Sequence, residues 1–191
     1  MFTIFIIISL AAVVKAIRYE FVFDNPEIFD KCPQIPGNNG IYDFMDISEI
    51  RYELEEDRIN VFGNLTVVWE GVEPSDRIQM RGEILKYQRG AWQVTPMTIT
   101  ANDFCKVQFD PNKYWYQIWS KNIPLDEREC VNVKGHTYHL EPFTVDTVFD
   151  YPTNIEGRHK AVYEFIAYDQ TNQRRSKMMC VQVIGELIKL K

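Results

Sequence analysis

The stretch from Arg58 to Glu70 constrains the fold more than any other. Ile59, Val61, Gly63, Leu65, Val67 and Trp69 fall on one side of a two-residue period, and Asn60, Phe62, Asn64, Thr66 and Val68 on the other. A half-buried strand has that period, because successive side chains leave a pleated backbone on opposite faces. Asn64-Leu65-Thr66 is the single N-glycosylation sequon of the chain, and a glycan needs its asparagine to face water. Asn64 lands on the more polar side, so two independent signals agree on one register.

Similar patterns recur. Strands are predicted over Ile17–Asp24, Asp46–Leu54, Asp76–Gln88, Trp92–Thr100, Cys130–Leu140, Phe143–Phe149, His159–Asp169 and Met178–Leu190. Asn25-Pro26, the loop from Cys32 to Gly40, the acidic turn Glu55-Glu56-Asp57, Glu73-Pro74-Ser75, Gly90, Glu141-Pro142 and the segment from Gln170 to Lys177 separate them. Ile78, Met80, Gly82 and Ile84 share one face, and Pro96 places its strand at an edge or a bulge. Gly63 and Gly82 interrupt apolar faces, which leaves room for a ligand or marks a close backbone contact. Short strands without a βαβ alternation predict an all-β domain with one short helix, an antiparallel β-cup or β-sandwich of about eight strands around an apolar cavity.

The helix is expected within Gly90–Trp119, which holds three of the four tryptophans. Asp110 suits an N-cap and Pro111 the first helical position. Tyr114 and Ile118, and Trp115 and Trp119, are spaced four apart and share a face. Such an aromatic face is either core or the lid of an apolar pocket.

Residues 1–16 read as a cleaved signal peptide. The run from Phe2 to Val14 is nearly all apolar, too short to span a bilayer with ease, and ends in Val14-Lys15-Ala16. An uncleaved anchor is the alternative. Cleavage at Ala16 leaves a single domain over 17–191, expected to be soluble and secreted. Loss of Lys15 takes the net charge from −6 to −7, which argues against a nucleic-acid partner. All four cysteines, Cys32, Cys105, Cys130 and Cys180, lie in that domain. An even count in a secreted chain implies two disulfides with three pairings open. A nested pairing, Cys105–Cys130 inside Cys32–Cys180, looks natural.

The chain shows few features of catalysis. His136 and His139 are three apart, which in a strand puts them on opposite faces, and no HExxH, CxxC, Gly-x-Ser-x-Gly or phosphate-binding glycine loop occurs. The expectation is a non-enzymatic protein with no metal and no cofactor. Met80, Met97, Met178 and Met179 offer adaptable apolar walls that suit a flexible ligand or an ordinary core.

Several short motifs, in order, carry a resemblance. Gly63-Asn64-Leu65-Thr66-Val67-Val68-Trp69, Asp76-Arg77-Ile78, Gly90-Ala91-Trp92-Gln93-Val94-Thr95, Asp103-Phe104-Cys105, Tyr114-Trp115-Tyr116, Gly157-Arg158 and Cys180 with Gly185-Glu186 resemble the insect chemosensory protein B family. That family is similar to the ganglioside activator protein and the lipid-recognition β-cup group. The resemblance runs from about Tyr19 to Leu187. It implies a β-cup around an apolar cavity, and it supports the pairs Cys32–Cys180 and Cys105–Cys130. The activator's extra cysteine pairs are missing here, which implies freer lid loops. The activator lifts lipids from membranes and the insect family is linked to pheromone sensing in gustatory hairs.

The expected function is therefore passive binding of a lipid, fatty-acid or cuticular-hydrocarbon pheromone type of molecule in insect chemosensation. Ile78, Met80, Met97, Phe104, Phe109, Tyr114, Trp115, Trp119 and Phe165 are the expected ligand contacts, with Trp115 and Trp119 at the rim. Transient contact with a membrane surface, or with a sensory receptor or channel, is the accompanying expectation. The alternative is a secreted protein-interaction partner or co-receptor with a filled core, its helix aromatics binding protein. A secreted hydrolase is a third class.

Overall fold

The computed structural model describes residues 16–55 and 57–191. The predicted leader lies outside them apart from Ala16, as does Glu56 of the predicted acidic turn. The described residues form eleven strands, two short α-helices and three single-turn 3-10 segments. The chain is all-β, in two antiparallel sheets.

The larger sheet contains β1 (Ile17–Phe23), β2 (Phe29–Asp30), β6 (Arg77–Gln88), β7 (Ala91–Ala101), β9 (Val148–Tyr151), β10 (Gly157–Tyr168) and β11 (Met179–Lys189). Its order is β7-β6-β10-β11-β1-β9, with β2 against β11. It curls: the Tyr151 hydroxyl of one edge strand donates to Met97 Sδ of the other at 3.6 Å. The smaller sheet is built on β5 (Arg58–Val67). Strands β3 (Met45–Asp46) and β4 (Arg51–Leu54) pair with one edge of β5 and β8 (Thr137–Asp146) with the other.

The predicted register of β5 holds. Ile59, Val61, Leu65, Val67 and Trp69 are all buried, and Asn60, Phe62, Asn64, Thr66 and Val68 are half-buried on the outer face. There Asn64 Nδ2 donates to Glu49 at 2.8 Å. Gly63 sits at an irregularity with φ +114°, and a Cβ there would lie 2.1 Å from the Glu49 carbonyl oxygen. A Cβ at Gly82 would lie 2.7 Å from Ile99 Cγ1 and 2.9 Å from the Tyr163 ring. Neither glycine leaves room for a ligand: backbone fills the space at the first and side chains at the second.

Three expected elements differ. Residues 130–136 are turns, not a strand, with Val133 N–H bonded to Cys130 O and His136 N–H to Val133 O, both at 3.1 Å. Side chains take the place of a ladder there. Gln108 Oε1 accepts from the Val131 N–H at 3.2 Å. Asn132 Nδ2 donates to the carbonyls of Glu73, Pro74 and Asp76. Strand β8 runs through Glu141-Pro142, which fall at a bulge opposite Phe62. Proline is tolerated because β8, like β7 with Pro96, pairs on one side only. Finally, there are two short helices, α1 (Phe104–Val107) and α2 (Tyr114–Ile118). Asp110 does not cap α2. Its carboxylate accepts from the Asn112 N–H at 2.9 Å, forming a local turn that delays the helix to Tyr114.

Both disulfides form as the nested pairing, Cys32–Cys180 and Cys105–Cys130. The outer bond joins the loop after β2 to β11. The inner one ties α1 to the turns before β8.

Candidate apolar site between the sheets

Strand alternation decides which residues face the space between the sheets. On the larger sheet these are Ile78, Met80, Gly82 and Ile84 of β6, with their register partners Ala167, Phe165, Tyr163 and Ala161 of β10. Met179, Val181 and Val183 of β11 continue the same rows. On the smaller sheet, Tyr138, Leu140, Phe143 and Val145 of β8 oppose the buried face of β5.

One end of this space is packed solid. Phe44 lies tilted against Phe165 at 4.8 Å and edge-on to Trp69 at 5.4 Å, while Phe104 meets Phe165 at 5.4 Å and Trp115 at 5.2 Å. Ile78, Met80 and Phe104 are almost fully buried. Helices α1 and α2 seal this floor. Trp115 is 7% exposed and its Nε1 donates to Val107 O at 2.9 Å, while Ser120 Oγ donates to Gln108 O at 2.6 Å.

Phe165 is itself half-buried, and at the next level Gly82 and Val181 are buried beside a half-buried Tyr163; the rows open at Ile84, Ala161 and Val183. Tyr163, Ala161, Ile84, Ile99, Val183 and Phe23 on the larger sheet are half-buried, as are Tyr52, Phe143 and Val145 on the smaller. All but Ala161 and Ile84 pack against the larger of two buried hydrophobic clusters. Phe21, Met97 and Tyr151 line the curl of the larger sheet and are also half-buried. Apolar side chains normally leave water together; here two facing rows remain partly wet, forming a mouth above a filled floor. The mouth is uncharged where the rows face each other, and the inner row of β6 reaches a basic side chain only at Lys86, beside the buried His159. Burial pushes the Tyr52 phenol up to about 12, with nearby Tyr42 adding to it. Burial, with Tyr114 adding, also holds the Tyr163 phenol well above its usual range. Both are neutral donors at any physiological pH.

The expected contacts divide. Ile78, Met80, Phe104, Trp115 and Phe165 are brought together, but as the floor's packing. Trp115 is therefore core, not rim, because its indole N–H is spent on α1. Trp119 is half-buried, its ring 6.3 Å from Tyr138. Phe109 is half-buried beneath the Arg128 guanidinium at 5.3 Å. Tyr114 is 56% exposed. Met97 alone of the nine lies in the mouth. Phe21, Phe23, Ile84, Ile99, Tyr52, Phe143, Val145, Tyr151 and Val183 were not among the expected contacts. The alternation that identified β5 would have placed most of them on an inner face, but only burial separates mouth from floor.

Two other concavities have mixed polar and apolar linings. A cleft of about 570 Å³ lies between the loop at Ile35–Asn38, Tyr42 and Lys177–Met179, where Glu70 holds Lys134 at 2.9 Å and Lys177 at 3.4 Å. A shallower one of about 370 Å³ lies on the outer face of the larger sheet, among Gln79, Arg81, Thr98, Thr100 and Glu164. His136 and His139, expected to diverge, both reach Glu127: His136 Nε2 meets its backbone oxygen and His139 Nδ1 its carboxylate, each at 2.7 Å. Among the described residues no group of three or more His, Cys, Asp or Glu side chains is placed to hold a metal ion.

A two-sheet antiparallel protein with an uncharged apolar mouth is the class this fold and site define. No protein-family model matches the chain, and no curated protein matches it.

Proposed function

We propose that this is a secreted, non-enzymatic binding protein for a hydrophobic small molecule, of the lipid, fatty-acid or cuticular-hydrocarbon type, acting in insect chemosensation. One observation carries the binding reading: inner rows that are buried at Ile78 and Met80 become half-exposed and uncharged at Ile84, Ala161 and Val183, while Tyr52, Phe143 and Val145 of the smaller sheet are half-buried too. Covering such a surface is favourable by about 25 cal/mol per Å² taken from water, so a ligand that buries 200 Å² gains about 5 kcal/mol before its ordering costs. Two disulfides fit an oxidising, extracellular setting, and no helix among the described residues is long and apolar enough to cross a membrane. The chemosensory setting rests on the family resemblance. Delivery to or from a membrane surface, or to a sensory receptor or channel, is the partner step this reading entails.

The test is native mass spectrometry of the protein secreted from insect cells, beside an Ala161→Trp variant. Ala161 lies in the inner row between Ile84 and Val183 and is half-buried, so an indole there fills the mouth and leaves the floor intact. Wild type is expected to carry a removable apolar adduct, and the variant to fold and carry none. Equal loading of both proteins, or a wild type that takes up no lipid or hydrocarbon offered, would overturn the proposal.

A second reading, a protein-interaction module, has its own observation. On the outer face Tyr87 is 42% and Val94 59% exposed. Beside them Trp92 packs on Tyr87 and lies under Lys160 at 4.9 Å and Arg158 at 5.8 Å. A stoichiometric protein partner lost on Trp92→Ala, with no small-molecule adduct, would favour it.

A further inference from the structure

We infer that Asn25, Asp30 and Gln182 bind one hard cation, calcium, on the outer face of the larger sheet where β2 joins β11. Five buried side-chain atoms lack a hydrogen-bond partner among the described residues, and three of them, Asn25 Oδ1, Asp30 Oδ2 and Gln182 Oε1, fall in this one place. The fold brings them together. Asn25-Pro26 follows β1, and the Asn25 carbonyl accepts from the Ile28 N–H at 3.2 Å, which turns the chain back as β2. There Asp30 is the register partner of Gln182, so their side chains leave the same face of the ladder side by side. Asn25 Nδ2 donates to Asp30 Oδ1 at 2.9 Å, and Gln182 Nε2 donates to the Lys31 carbonyl at 2.6 Å. These bonds fix both amides, because flipping either would set oxygen against oxygen. Gln182 is only 3% exposed, so its oxygen has no bulk water to turn to. All three orphans are acceptors, and both amide N–H groups that bond within the group are already committed. Buried acceptors left unpaired are costly, and only an electropositive guest satisfies them together. Charge favours a cation. Asp24, Glu27 and Arg158 are the other charged side chains that bear on Asp30, three carboxylates against one guanidinium, and Arg158 is paired with Asp24. One carboxylate and two amide oxygens are ligands that calcium takes, whereas zinc favours nitrogen and sulfur. Two of the three being amides, no cluster of acidic and histidine side chains marks the place. The ion ties the β1–β2 turn to β11 two residues from Cys180, whose disulfide to Cys32 fastens the loop that follows.

The test is thermal unfolding of the full chain, disulfides intact, in EDTA and then in 10 mM calcium or magnesium chloride at matched ionic strength, beside equilibrium dialysis of wild type against radioactive calcium. A site with a dissociation constant of about 1 mM, in the range of extracellular calcium modules, raises the melting temperature by about 4 °C at that concentration. Magnesium, which sheds its waters reluctantly, is expected to do less, and dialysis to show one calcium per chain. Asp30→Asn keeps the acceptor for Asn25 and puts an N–H in place of Oδ2. It is expected to be at least as stable as wild type in EDTA and to lose the calcium response. Asn25→Asp sets a second carboxylate against Asp30, and is expected to be less stable in EDTA and to respond more strongly to calcium. Glu141→Gln, an exposed position on β8 of the other sheet, is expected to respond as wild type does. No calcium bound by wild type, or a calcium response of Asp30→Asn equal to that of wild type, would overturn the inference. So would stabilisation of wild type on acidification to pH 5 in place of a calcium response, which would put a proton on Asp30 instead. None of these outcomes bears on the apolar-ligand reading.

Discussion

Replacing Trp115 by alanine is expected to destabilise the fold by about 4 kcal/mol, because truncating a buried tryptophan costs roughly 3–5 kcal/mol. The ring is 7% exposed and 5.2 Å from Phe104, which is itself packed on Phe165 at 5.4 Å. The void would open at the centre of the floor, where the two sheets and α1 all limit relaxation. Loss of the indole N–H also leaves Val107 O without its 2.9 Å donor, a loss of about 1 kcal/mol that Trp115→Phe shares, on top of the volume its smaller ring gives up. Trp119→Ala removes a half-buried ring that packs edge-on to Tyr138, with an expected cost of about 1–2 kcal/mol. Urea unfolding followed by far-UV circular dichroism, with the disulfides intact, reads all three. With a slope of about 2 kcal/mol per molar, Trp115→Ala lowers the midpoint by about 2 M and Trp119→Ala by less than 1 M. A Trp115→Ala shift no larger than that of Trp119→Ala would refute a core role and restore α2 as a lid.

Three further outcomes follow from the same geometry. Removing Cys32–Cys180, which closes a separation of 148 residues, is expected to cost more than removing Cys105–Cys130 at 25; chain-entropy values taken singly are about 5 and 3.5 kcal/mol, and denaturant midpoints of the paired alanine variants rank them. Gly63→Ala is expected to destabilise the fold by about 2–3 kcal/mol or more, read as a lower melting temperature, since φ is +114° and the new Cβ meets backbone at 2.1 Å. Burial holds the His159 imidazole below its usual 6.5, with Lys86 adding to the effect and the Gly157 carbonyl and Glu186 opposing it. A base whose folded pKa is depressed stabilises fully above its unfolded value and loses stability as pH falls below about 6.5; the fall is measured as the difference in unfolding free energy between wild type and His159→Gln from pH 7.5 to 5.5.

Much of the fold was legible because its signals are local. The period of Arg58–Glu70, the face shared by Ile78, Met80 and Ile84, and the edge placement of Pro96 follow from the pleat and from proline's missing N–H. The errors have one kind of cause. Residues 130–136 look like a strand, yet their backbone groups are claimed by Gln108 and by bonds to Val67, partners remote in sequence. Asp110-Pro111 carries a good helix start, yet its carboxylate closes a turn of its own first.

The chain by itself determined the all-β class, the inner face of most strands and the expectation of two disulfides, because alternation and cysteine count act at short range or by counting. Tertiary structure alone decided which inner residues are packed and which stand open. Ile78 and Ile84 are two of the same row, six residues apart on one strand, and nothing in their chemistry differs. What separates them is that Ile78 belongs to the buried cluster with Phe44, Trp69, Phe104 and Trp115, and Ile84 does not. Burial is a property of what the other sheet and the helices bring to that place, so the site of binding belongs to the assembled fold and not to any one strand.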